Sequence, residues 1–176
     1  MKEINLTGLY FKGLEGDKEE HPCNLMVLQT PNAASYDRGI RLSMFCEETG
    51  NMVPVDMPIL YAQRFCSMVE TQEYLSRDFW HFNECNSVNY WMMVSWLVLA
   101  AGQDPCYQSF GFGQSVDGRF VLMVYRDPGR YSPGLGQPPV RYLAYLSESD
   151  LVEVVKEIVS VLAALTLEGE GEHHDS

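Results

Sequence analysis

Apolar residues fall along this chain in three rhythms: alternating, helical and uninterrupted. Near the start, "INLTGLYFK" (4–12) partly alternates, with Ile4, Leu6 and Tyr10 on one side, which fits a strand or an irregular helix. "NLMVLQT" and "GIRLSMFCE" are short β-type runs, and "TPNAASYDRG" between them has the Pro, Asn, Ser and Asp of a long turn. The period then changes. Ile59, Ala62, Cys66 and Val69 recur at helical spacing behind Pro58, a residue suited to a first helical turn, and predict a helix over about 58–75.

The third rhythm is a solid one. Val88 to Ala101 is apolar on nearly every face, follows the capping candidates Asn86 and Ser87, and stops at Gly102 with Pro105 close behind, which predicts a helix buried all round. "QSFGFGQSVDGRFVLMVYRD" reads as a hairpin turning at Asp117-Gly118, and the Pro/Gly loop "DPGRYSPGLGQPP" leads to a further strand, "VRYLAYL". Ser147 and Asp150 have the spacing of a capping box. Leu151, Val155, Ile158, Leu162 and Leu165 then form the stripe of an amphipathic helix. No convincing repeat stands out, although the β-β-β-α order of 24–75 is loosely echoed after residue 107.

With 176 residues the chain has room for one well-buried core and not for two comfortable domains. The expected fold is therefore α+β: an antiparallel β-sheet packed with about three α-helices in a single domain over 1–167, followed by an acidic disordered tail at 168–176. Twelve basic against twenty-four acidic side chains give a net charge of −12, which opposes binding to nucleic acid phosphates. The same charge suits an acidic inhibitor that imitates DNA and blocks a basic site on another protein. The five cysteines lack any CxxC pair and sit among apolar residues, as reduced core thiols do. No signal-peptide hydrophobic region opens the sequence. The longest oily run, about 14 residues, is shorter than the ~20 a membrane span needs, so no membrane association and a cytoplasmic location are expected.

Candidate chemistry centres on Cys85, which stands just ahead of the apolar run, where papain-like hydrolases keep a nucleophile at a helix N-terminus. Such a thiol needs an imidazole base. His81 lies four residues upstream and His21 sits in a charged loop, while the strands after the run contain no histidine. The carboxylates of "DKEE", "CEET" and "SESD" fall in turns or caps, and the glycines of "GFGQSVDG" are followed by no helix that could hold a phosphate. His173 and His174 lack a Cys or a third His beside them. The chain is thus expected to be no enzyme and to use no metal or cofactor, with a cysteine hydrolase built on Cys85 as the alternative from another class.

The strand faces point to binding. "FVLMVY" (120–125) and "NLMVL" are apolar on both faces, so both faces must be covered: either three helices cover one face and a second protomer or a bound segment the other, or the helices are split between the faces in an ordinary three-layer core. Nine methionines, among them Met26, Met44 and Met123, suit an adaptable surface.

The succession of oily run, hairpin and amphipathic C-terminal helix in "HFNECNSVNYWMMVSWLVLAAGQDPCYQSFGFGQSVDGRFVLMVYRD" and "SESDLVEVVKEIVSVLAALTLEGE" resembles the type III secretion chaperones and the related YbjN-like fold. Phe110, Gly111 and Phe112, leading through Asp117-Gly118 into Phe120–Tyr125, carry the likeness. The resemblance implies a small acidic homodimer without enzymatic activity that holds an extended segment of a client protein by strand addition. By position, Leu25, Val27, Leu42 and Met44 would form the client-binding surface.

Overall fold

Every β-type run of the sequence finds its neighbour in one antiparallel sheet. The computed structural model describes residues 2–30, 39–81, 88–99, 102, 104–131, 134 and 136–174, with the backbone alone for 80–81 and 168–174. The first half contributes β1 (Glu3–Lys12), β2 (Glu15–Gly16), β3 (His21–Gln29), β4 (Gly39–Phe45) and β5 (Met52–Pro58), then α1 (Ile59–Glu70) and a 3₁₀ turn at Glu73–Ser76. The second contributes β6 (Trp80–His81), β7 (Asn89–Val98), β8 (Cys106–Gln114), β9 (Phe120–Asp127) and β10 (Val140–Leu146), then α2 (Glu148–His174). The strands run in the order β5-β4-β3-β1-β10-β9-β8-β7-β6, with β2 as a short hairpin partner of β1.

Setting aside the two-residue strands β2 and β6, each half is four strands followed by a helix. The halves join where β1 pairs with β10, from Thr7↔Tyr145 to Lys12↔Val140. The loose echo in the sequence is thus a repeat of the whole order. The sheet curls until it is nearly a closed barrel, bringing β5 against β8 and β9. Both helices pack on its inner face: Leu151, Val154 and Ile158 of α2 and Ala62, Phe65 and Met68 of α1 join the inward residues of the strands in one core.

Two corrections to the expected fold follow. The described residues hold two α-helices, not about three, and strand dominates the architecture, so the α+β sheet packed with three helices gives way to a curled, nearly closed sheet. The missing helix is the oily run: 89–98 is strand β7. An uninterrupted apolar stretch does not distinguish a buried helix from a strand with both faces in contact, and the Val, Tyr and Trp content here favours the pleated form. Residues 4–12, open between two forms, are strand.

Local signals were sounder where a cap or turn set them. The Ser147–Asp150 capping box is made both ways: the Asp150 amide donates to Ser147 Oγ at 3.1 Å, and the Ser147 amide to Asp150 Oδ2 at 3.1 Å. Gly118, at φ +89°, takes the left-handed position in the β8–β9 connection. The Ser115 amide bonds the Arg119 carbonyl at 2.9 Å, so the turn closes over three residues rather than two.

The face away from the helices carries its own apolar cluster. Leu9, Val121, Met123, Leu143 and Tyr145 are buried there. Arg119 lies 4.2 Å over the Tyr145 ring and Arg141 4.6 Å over Phe11, their stems and guanidinium planes covering oily surface. Within the single chain, strands that are apolar on both faces are therefore largely roofed.

Candidate functional site

The two ends of the curled sheet are treated differently by the sequence. On β5, residues 54, 56 and 58 turn the same backbone side outward, and two of them are prolines, which have no N–H to offer. The third is sealed from across the barrel. The Asp56 amide donates to Oε1 of Gln108 at 2.6 Å, and Nη1 of Arg126 donates to the Pro54 carbonyl at 3.3 Å. Gln108 is fully buried, and the Asp56 carboxylate is held by Arg41 through a double contact of 2.8 and 3.0 Å. That pairing raises the Arg41 pKa further above its ordinary value.

On β7 nothing comparable is found. "NYWMMVSWLV" has no proline and no charge. Beyond the two-residue pairing with β6 at Asn89 and Tyr90, no described strand pairs with its outer edge from Trp91 to Val98. A bulge between Tyr90 and Met92 re-aims the strand. Tyr90 goes to the outer cluster, while Trp91 and Met92 both enter the core. The "FGFG" of β8 makes this arrangement fit. Phe110 and Phe112 point inward to the Phe65 ring, at 5.0 and 5.3 Å between centroids, whereas a Cβ on Gly113 would collide with the Asn89 carbonyl. Further along, Leu97 is 46% exposed and Leu99 47%.

Beside this edge α1 and the 3₁₀ turn leave a groove. One part, about 350 Å³, lies between Arg64, Ser67 and Met68 on one side and Trp91–Val94 on the other. A second part, about 510 Å³, shares Arg77 and Trp91 with the first and is walled by Leu75, Phe79 and Phe120. At the far end of β7 the space shrinks to about 40 Å³ between Asp56–Pro58 and Trp96–Val98. Packed aromatic rings form the groove floor: Trp91 stacks on Phe79 at 5.0 Å and touches Tyr74 and Phe112. Of its charges, Arg77 is tied to Glu73 at 3.2 Å.

The residues proposed as a client surface lie elsewhere. Leu25, Leu42 and Met44 are 0% exposed and Val27 is 7%, all inside the main core under the helices. The structure brings the four together, with Leu25 opposite Met44 and Val27 opposite Leu42, but as core rather than surface.

Cys85 falls outside the described residues. The described thiols are buried, and burial pushes those of Cys23 and Cys66 up to about 12, far from a reactive thiolate at neutral pH. The arrangement closest to catalytic form is a chain from Asp17 through His21 to Tyr142, with Asp17 Oδ2 3.0 Å from Nδ1 and the phenol oxygen 2.5 Å from Nε2. Its phenol is fully buried and, chiefly by that burial, held well above the usual tyrosine range. The chain ties β3 to β10 and, through the Tyr10 amide bonded to Asp17, to β1. Among the described residues no group of three or more His, Cys, Asp or Glu is placed to hold a metal, and no helix is long and apolar enough to cross a membrane.

Sequence reasoning missed Arg64, Leu97 and the edge itself. The available signal was the uncharged, proline-free run set against the proline-bearing β5. The chain matches no protein-family model, no curated protein and no solved structure.

Proposed function

We propose that this protein binds another polypeptide without catalysis, by adding an extended segment of it to the free edge of β7. The observation that carries the reading is that edge: Trp91 to Val98, uncharged and proline-free, with no described strand paired to it and a groove along Trp91–Val94. Natural sheets shield such edges with prolines, charges or cover, as this chain shields β5. An unshielded edge offers main-chain hydrogen bonds to an incoming strand, and the groove offers pockets for its alternate side chains. Holding a segment of a secreted client as a cytoplasmic homodimer, as in the secretion chaperones, is one form of this activity; the binding surface is then the β7 edge and not Leu25, Val27, Leu42 and Met44.

The test is selection of a random peptide library on the immobilised protein, followed by amide hydrogen exchange with and without a selected peptide. Bound peptide is expected to slow exchange of edge-facing amides within Trp91–Val98. Failure to select any peptide, or peptides that bind and leave those amides unprotected, overturns the reading.

A further inference from the structure

The groove also carries information about what it accepts. Arginine is scarce in this acidic chain and, among the described residues, nearly always engaged. Arg41 meets Asp56, Arg77 meets Glu73, Arg119 meets Glu20 and Arg130 meets Asp127, while Arg126 bonds the Pro54 carbonyl. Arg64 is different. It is exposed on α1 beside the edge, and among the described residues it has no carboxylate partner; its described neighbour is the Tyr61 ring, 6.0 Å away, the outer limit of a cation–π contact. With Glu73 taken up by Arg77, the part of the groove along Trp91–Val94 holds one unmatched positive charge. In a molecule of net charge −12, a lone cation beside an open strand edge is a local exception to the field of the whole surface.

We propose that the segment added to β7 is acidic and amphipathic. An Asp or Glu of it pairs with Arg64, and a large apolar side chain fills the adjoining pocket walled by Leu75, Phe79 and Phe120. Both pockets are lined by Trp91 of β7 together with Arg77 and the 3₁₀ turn, the first also by α1, so an added strand would meet both from one side, and alternate residues of a strand share a side. The acidic and apolar residues of the partner therefore stand an even number of positions apart. A second copy of this chain does not meet the requirement through its own β7, because "NYWMMVSWLV" supplies no carboxylate for Arg64.

This proposal rests on strand addition at β7, and its test separates the two. The same random peptide library is selected in parallel on the wild type and on Arg64→Glu, with circular dichroism to show that the exposed substitution leaves the fold intact. Wild-type selections are expected to enrich Asp or Glu at an even spacing from Leu, Phe or Trp, and Arg64→Glu to enrich Lys or Arg at that position. A wild-type peptide bearing the acid should bind the variant about fivefold or more weakly, the scale of a partly exposed ion pair. Selected peptides that protect the β7 amides yet show no charge preference, or the same preference on both proteins, overturn the acidic assignment and leave strand addition standing. No selected peptide on either protein removes both. A free protein that is dimeric by light scattering, and becomes monomeric when Leu97 is replaced by Lys, assigns the edge to a second copy and overturns the proposal.

Discussion

β5 and β7 are the long strands at the two ends of the same sheet, with only the two-residue β6 beyond β7, yet only one is finished. β5 presents Pro54, Asp56 and Pro58 to its open side, and side chains from β8 and β9 take the hydrogen bonds its backbone leaves over. β7 is longer, uncharged and free of proline, and beyond Tyr90 no described strand pairs with its outer edge. Leaving an edge bare carries the hazard of pairing with the wrong chain. If β7 takes up a partner strand as proposed, a fold that seals one end with a buried glutamine and leaves the other open separates stability from recognition, and the two ends should respond to mutation in opposite ways.

The largest effect is expected at the sealed end. Replacing Asp56 with Ala removes the buried carboxylate that fixes Arg41, and should cost about 2 to 3 kcal/mol in urea unfolding, moderated because Arg41 is about a quarter exposed and can turn to water. Peptide capture at β7 should persist in the folded fraction. A smaller loss, about 2 kcal/mol, is expected for Gln108→Ala, which leaves the buried Asp56 amide without its acceptor. If Gln108 seals the edge, this variant should also self-associate more readily in light scattering; unchanged stability together with unchanged association would show that the seal does nothing. The smallest stability change belongs to the open end. Leu97→Lys, at a half-exposed position, should stay within about 0.5 kcal/mol of wild type while abolishing strand addition, since an edge lysine discourages a neighbour. Binding that survives Leu97→Lys would erase the distinction between the ends.

Part of this contrast could be read from the chain. Pro54 and Pro58 were an available signal of an edge, because proline has no N–H for a central strand's ladder, although the sequence reading predicts no strand over 52–58 and places Pro58 only at a helix start. The Ser147–Asp150 cap, the glycine turn at 118 and the stripe of α2 were likewise legible, each being set by residues within a few positions of one another. β7 was not legible. Its oily residues suit a helix packed on all sides as well as a strand, and a run from Val88 to Ala101 is long enough to suggest the helix. Nor could the surface be found by position: Leu25, Val27, Leu42 and Met44 have the composition of a binding face and serve as core, since apolar side chains are asked for in both places. Arg64 had no distinguishing mark, its proposed significance being the absence, among the described residues, of a carboxylate that only folding could have brought near.

The sequence by itself determined the short-range elements: hairpins, caps, the amphipathic helix and the acidic balance of charge. Which strands meet, which face is roofed, and which edge is closed were decided by the tertiary structure. Those outcomes depend on pairs such as Asp56 with Gln108 and Thr7 with Tyr145, separated by dozens of residues. Hydrophobic burial is non-directional, so a chain can specify that its oily residues be covered without its local pattern stating what covers them.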